Sequence, residues 1–158
     1  MSDGLRLHED FRDLLDALLK HGVEFVVVGA YAMAAHAVPR ATGDIDIFVC
    51  ASRENAARVV AALNEFGAPL AAHGVDESTF AAPGHTYQMG LPPKRIDVLT
   101  AIDGVDFDEA WAGRKVVSLE GLAVPFLGEA ALRKNKAAAG RDKDLVDLRL
   151  LENKNDAR

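Results

Sequence analysis

The sequence predicts an α+β domain of two layers, in which helices pack chiefly on one face of a single mixed β-sheet. Strand-like runs alternate with helix-like segments in the first half of the chain, whereas strand-like runs follow one another as hairpins in the second half. Two helix-like segments then end the chain. The length of 158 residues is that of one domain, so we expect residues 1–158 to form a single unit with a core over about 8–152.

The first half is predicted to contain three helices and two strands. Apolar residues from Phe11 to Leu19 recur at the spacing of one helix face, and Gly22 suits the turn after a helix. A β-branched run then meets a glycine and an alanine-rich segment, which is typical of strand, turn and helix. Ser52 suits the cap of the next helix. The predicted elements are helix 8–20, strand 24–28, helix 29–36, strand 45–49 and helix 52–66.

The second half is predicted to contain two hairpins and three helices. Residues 68–84 are rich in small residues with glycine and proline, which favours loop. Proline and glycine then separate pairs of β-branched runs. Residues 153–158 are polar and are expected to fray. The predicted elements are strands 86–91 and 95–100, helix 106–111, strands 115–119 and 122–127, and helices 128–139 and 141–152.

Composition excludes several classes of protein. A net charge of −6 argues against a protein that coats nucleic acid nonspecifically. Cys50 is the single cysteine, so an internal disulfide is excluded, and the histidines lack the close pairs of a zinc site. Residues 1–7 lack the basic start and apolar run of a secretory signal, and no apolar stretch approaches the length needed to span a bilayer. We therefore expect a cytoplasmic protein that does not bind membranes.

Three acidic residues are candidates for a metal site. Asp44 and Asp46 alternate along a predicted strand, which places both side chains on one face with Cα atoms about 6.5–7 Å apart. Hard ions such as Mg²⁺ prefer such oxygen ligands. Asp97 interrupts an apolar run; if its strand lies beside 45–49, three acids could hold two metal ions about 3.5–4 Å apart. The alternatives are a turn acid at Asp44 and strand acids facing solvent at Asp46 and Asp97.

Gly29 is a candidate for phosphate binding. It follows a predicted strand and opens a helix, whose first amide groups could bind an anion. Neither the P-loop pattern nor the dinucleotide-binding pattern is present. A tight turn that needs a glycine explains this residue equally well.

Together these segments resemble the nucleotidyltransferase superfamily that includes DNA polymerase beta. That superfamily has a strand, Gly-Gly or Gly-Ser, a helix, Asp-x-Asp in a strand and a third acid in a later strand. The resemblance is closest to small bacterial nucleotidyltransferases related to abortive-infection toxins and their antitoxin-linked cousins, which share a late helix rich in basic and acidic residues. The matching stretches here are residues 28–30, 40–49, 95–99 and 134–147.

The resemblance implies a Mg²⁺-dependent enzyme, with two ions possible, that transfers a nucleoside monophosphate from a nucleoside triphosphate to a hydroxyl acceptor. The implied metal-binding and catalytic residues are Asp44, Asp46 and Asp97. The implied nucleotide-binding residues are Gly29, Ala30, Arg40, Thr42, Lys136 and Arg141, with Lys143 as a substitute for Arg141.

Several of these assignments have alternatives. Ala30 stands where the family has glycine or serine, so only backbone amides can serve phosphate there. Arg40 suits a phosphate contact or the turn, and Thr42 suits a hydrogen bond to the backbone. Arg141, Lys143 and Asp147 also suit a solvated helix with paired charges.

The sequence leaves the acceptor open among tRNA, another protein and a small molecule such as an aminoglycoside, and a cognate toxin or antitoxin is a possible partner. A second hypothesis is a catalytically weak or inactive protein that binds nucleotide or a partner on the same scaffold. A two-metal hydrolase is the third, because carboxylate triads also serve phosphodiester cleavage.

Overall fold

The structure, a computed structural model, describes residues 7–38 and 43–156. Within these ranges, helices and strands follow the order expected for a mixed α+β domain. The helices are α1 Glu9–Lys20, α2 Gly29–Ala35, α3 Arg53–Phe66, α4 Glu77–Ala81, α5 Phe107–Ala112, α6 Glu129–Ala139 and α7 Asp142–Asp156. The strands are β1 Phe25–Val28, β2 Ile45–Val49, β3 Thr86–Met89, β4 Ile96–Leu99, β5 Lys115–Leu119 and β6 Leu122–Phe126.

The six strands form one mixed sheet in the order β3-β4-β2-β1-β6-β5. β2 pairs parallel with β4 and antiparallel with β1, and β1 pairs parallel with β6. The outer strands β3 and β5 are each antiparallel to their neighbours, as the two predicted hairpins require. The predicted α+β class with a mixed sheet is therefore confirmed.

The core lies around the central strands. All four residues of β1 are buried, and because successive side chains point to opposite faces, both faces of the sheet are covered at its centre. α1 packs against α3, and α3 packs against α4. The ring of Phe107, at the start of α5, meets Phe48 edge to face with centroids 5.2 Å apart. Phe48 lies two residues after Asp46, so α5 lies over the face of β2 that carries this acid.

Two segments differ from the prediction. α4 lies within residues 68–84, which were predicted to be mostly loop; it begins at a capping box of Asp76 and Thr79 and is anchored by the buried side chain of Phe80. α7 continues to Asp156, although fraying was predicted from residue 153. Its last turn is fixed because Lys154 pairs with Glu129 and donates a hydrogen bond to the backbone carbonyl of residue 36.

None of the described helices is long and apolar enough to cross a bilayer.

Candidate active site

The pairing of β2 with β4 places two of the candidate acids side by side. Asp46 and Asp97 are direct partners in the parallel register, so their side chains point to the same face of the sheet. Asp44 lies just before β2, and its carboxylate Oδ1 accepts a hydrogen bond of 3.0 Å from the backbone amide of Arg95. The expectation that the strand of Asp97 lies beside residues 45–49 is confirmed.

Gly29 lies directly against the carboxylate of Asp46. Val28 is the antiparallel partner of Asp46, so the strand-to-helix turn comes next to this acid. Gly29 has a φ of +69°, and a Cβ built on it would stand 2.2 Å from Asp46 Oδ2. Both the backbone conformation and the space therefore require glycine here. Gly29 therefore serves both the tight turn and the close approach to the Asp46 carboxylate.

Arg95 is engaged with two of the three acids. Its Nε and Nη2 donate hydrogen bonds of 2.9 and 3.1 Å to the two carboxylate oxygens of Asp97. Nη2 is also 3.6 Å from Asp44 Oδ2. Asp97 is only 6% exposed, so this bidentate pair neutralises a buried carboxylate.

Asp46 is the acid with an abnormal protonation equilibrium. Burial, a hydrogen bond with Asp97 and the negative charge of Asp97 raise its pKa from 3.8 to about 6, and Arg95 opposes the shift. Two adjacent carboxyl groups therefore share the stabilising cation unequally: Arg95 binds Asp97, and Asp46 retains a proton more readily. Such a pair is typical of a functional site.

The junction of α6 and α7 contributes a second charged cluster. Lys136 Nζ is 2.9 Å from Asp147 Oδ2 and 3.5 Å from Asp144 Oδ1, and all three residues are buried. Arg141 pairs with Asp144 through Nε at 2.6 Å. Although burial alone would raise the pKa of Asp144, hydrogen bonds from Arg141 and the charge of Lys136 bring it below its ordinary value. The solvated-face interpretation is wrong for Asp147, which is 2% exposed, because Lys136 draws it inward.

These groups converge on one cleft of about 290 Å³, close to the lower end of the range usual for small-molecule sites. The sheet side contributes the acids and the glycine turn, and α6 with α7 contributes cations. Among the described residues, the lining is formed by Gly29, Ala30, Gly43, Asp44, Asp46, Arg95, Lys136, Arg141, Lys143 and Asp147.

One described candidate residue is not part of the cleft lining, and two others cannot be placed. Asp97 is hydrogen-bonded to Arg95 and is not among the lining residues. Arg40 and Thr42 fall outside the described residues. Lys143 does line the cleft, is exposed, and has no ion-pair partner among the residues the structure describes.

The acids suit a hard divalent cation by chemistry, but not in their present arrangement. Asp44 and Asp46 supply oxygen donors at the cleft. Arg95 binds Asp97 through two hydrogen bonds, whereas no described side chain binds Asp46 in this way. Over residues 7–38 and 43–156, no three His, Cys, Asp or Glu side chains are grouped so as to hold a metal ion. The carboxylate donors therefore fit Mg²⁺, but the third acid, Asp97, is bound to Arg95.

Sequence analysis predicted no role for Arg95, and for Asp147 only a charge pair on a solvated helix. A signal existed for Arg95, because residues 95 and 97 alternate along one strand and an arginine can reach a neighbouring acid on the same face. The pairing of Lys136 with Asp147 depends on the turn between α6 and α7. Periodicity alone does not reveal it.

Neither the protein-family models nor the curated protein sequences compared with this chain match it. Solved structures do. TM1012 of Thermotoga maritima, a protein assigned to the nucleotidyltransferases, is similar with a TM-score of 0.59 and 20% identity over 91% of each chain.

The antibiotic-resistance factor ANT(2'')-Ia is similar in two structures. Its solution structure has a TM-score of 0.56 and 15% identity, covering 90% of this chain and 80% of that one. Its crystal structure in complex with adenylyl-2''-tobramycin has a TM-score of 0.54 and 16% identity, covering 89% and 84%. The described chain therefore has the fold of these nucleotidyltransferases.

Proposed function

We propose that this protein transfers a nucleoside monophosphate from a nucleoside triphosphate to a hydroxyl acceptor, with Mg²⁺ as the metal. One observation carries the proposal: two acids at the beginning of β2, a glycine turn and cations from the α6–α7 region line the same cleft. Phosphoryl transfer needs these groups together, because its substrates carry several negative charges that shift during the reaction. The shared fold with nucleotidyltransferases supports it.

The acids divide into two roles. Asp44 and Asp46 face the cleft and would hold the metal, which when bound supplies charge neutralisation at the transferred phosphate. Asp97 is the residue proposed to orient the acceptor hydroxyl and receive its proton. The acceptor oxygen bonds to the α-phosphorus, the bond to the β-phosphate oxygen breaks, and pyrophosphate leaves.

The cations also divide by how they are held. Lys136 is fixed by two buried carboxylates, so it presents a rigid ammonium group at the cleft wall. Arg141 is bound to Asp144 at the rim. Lys143 lacks such a partner among the described residues, and we propose that it contacts the phosphate tail. Gly29 and Ala30 would approach the phosphates through their backbone.

A small molecule is the proposed acceptor. The net charge of −6 disfavours a large RNA footprint and suits a cationic small molecule. A structural neighbour, ANT(2'')-Ia, was solved with adenylyl-2''-tobramycin, whose antibiotic part is such an acceptor. RNA or protein acceptors, and a toxin-antitoxin setting, remain the competing outcomes of the test.

Pyrophosphate release tests the proposal. The wild-type protein is incubated with Mg²⁺, each of the four nucleoside triphosphates and a panel of aminoglycosides, tRNA and proteins. We expect pyrophosphate with one acceptor class, and a loss of at least about 100-fold in Asp46→Asn. Asp13→Asn on the exposed side of α1 is the matched control. Equal turnover in wild type and Asp46→Asn would refute the proposal.

A catalytically weak or inactive nucleotide-binding protein is the second candidate. The observation in its favour is that both oxygens of Asp97 already accept hydrogen bonds from Arg95. Calorimetry distinguishes the two candidates, since this one expects triphosphate binding without pyrophosphate release under any acceptor condition.

A further inference from the structure

Arg95 binds the third acid of the candidate metal site, Asp97, and also lines the cleft. The guanidinium binds both oxygens of Asp97 and approaches within 3.6 Å of Asp44 Oδ2. Its own backbone amide binds the other oxygen of Asp44. Main chain and side chain of a single residue therefore engage two of the three acids.

The geometry of this contact is that of a counter-cation. Asp46 and Asp97 are direct partners on two adjacent strands, Asp44 lies just before one of them, and like charges this close repel unless a cation lies among them. A planar guanidinium matched to both oxygens of one carboxylate leaves that carboxylate little capacity for a metal.

We propose that Arg95 is a built-in competitor for the divalent cation, which must displace it from Asp97 before all three acids can act together. The inference rests on the proposed function in one respect, namely that a divalent cation is the ligand of these acids. It adds that metal entry and release of Arg95 are one coupled event, so this side chain sets the metal affinity of the site.

The alternative role for Arg95 is to orient Asp97 as a ligand. In that case removing the guanidinium weakens metal binding, because Asp97 loses the contact that fixes its rotamer. The two roles therefore differ in the sign of the effect on affinity.

Mn²⁺ binding to the full chain, followed by the electron paramagnetic resonance of free Mn²⁺ without nucleotide, tests the proposal. We expect Arg95→Gln to lower the Mn²⁺ dissociation constant at least about fivefold. Arg141→Gln is the matched control, because it removes a carboxylate-bound cation from the same cleft without touching the three acids. Weaker or unchanged Mn²⁺ binding in Arg95→Gln would overturn the proposal, and so would an equal gain in affinity in Arg141→Gln. The absence of Mn²⁺ binding in both wild type and Arg95→Gln would also overturn it.

A second variant and a titration of the wild-type protein test the proposal even if Arg95→Gln does not fold. Arg95→Lys keeps the charge but cannot bind both carboxylate oxygens, so we expect Mn²⁺ affinity between wild type and Arg95→Gln. In wild type, Mg²⁺ titration should shift the Nε–H resonance of Arg95 towards that of a solvated arginine. A resonance that stays in place while Mg²⁺ binds would overturn the proposal. Pyrophosphate release tests the proposed function separately, since neither binding measurement depends on turnover.

Discussion

The carboxylate of Asp46 occupies the space in which Gly29 would otherwise carry a side chain. A Cβ on Gly29 would stand 2.2 Å from Asp46 Oδ2, closer than real Cβ contacts allow. The turn therefore requires glycine for two reasons: its backbone conformation and the position of the Asp46 carboxylate.

Replacing Gly29 by alanine should cost more stability than a left-handed backbone alone explains. Gly22 has the same φ of +69° but nothing within 4 Å of a built Cβ, so Gly22→Ala measures the conformational cost. We expect about 1 kcal/mol for Gly22→Ala and about 1–3 kcal/mol more for Gly29→Ala, because the methyl group must push Asp46 aside. Urea unfolding of both variants checks this. Equal losses would show that Asp46 moves without cost.

Asp46 should make the protein less stable as the pH rises. Its pKa is raised in the folded state to about 6 from 3.8, so the folded protein binds more protons than the unfolded chain between these values. The free energy of unfolding therefore falls as the pH increases through this window. Asparagine resembles the protonated acid, so the stability advantage of Asp46→Asn over wild type should grow by about 2 kcal/mol from about pH 4.5 to about pH 8.

Urea unfolding at both pH values, with chelator present, measures this effect. Asp13→Asn removes one exposed carboxylate from α1 and controls for net charge. An advantage of Asp46→Asn that is independent of pH would contradict the raised pKa.

The two acidic stretches and their strands could be predicted from sequence, but their register could not. β-branched runs identify β2 and β4 locally, whereas the pairing of Asp46 with Asp97 depends on how separate segments dock. α4 was missed because its five residues have modest helix propensity, and the burial of Phe80 stabilises them. The end of α7 depends on a distant partner of Lys154, which no local pattern contains.

Lys136 should be worth far more to stability than its neighbour Lys134. Lys136 lies between two buried carboxylates, so Lys136→Met removes a buried cation from both of them, while Arg141 still pairs with Asp144; we expect a loss of about 3 kcal/mol in the free energy of unfolding. Lys134 pairs with Glu109 on the surface, and Lys134→Met should cost less than about 1 kcal/mol. Thermal and urea unfolding compare the two variants of one helix. Similar losses would indicate that solvent reaches the Lys136 cluster.

Lys143 should act on nucleotide binding and leave stability unchanged. It lines the cleft and has no ion-pair partner among the described residues, so Lys143→Met breaks no ion pair within that part of the chain. Loss of a charged contact to phosphate should raise the KM for the triphosphate about tenfold. Lys134→Met serves again as the control, because Lys134 does not line the cleft. A lower urea midpoint with unchanged KM in Lys143→Met would assign this lysine to the fold.

Transfer of label from an α-labelled nucleoside triphosphate is the most direct test of nucleotidyl transfer at this cleft. Purified wild-type protein, Asp46→Asn and Asp13→Asn are each incubated with Mg²⁺, the labelled triphosphate and fractionated small molecules, RNA and protein. We expect label in one acceptor fraction with wild type and Asp13→Asn, none with Asp46→Asn, and no transfer from a γ-labelled triphosphate. Label in no fraction, or equal labelling by Asp46→Asn, would contradict the account.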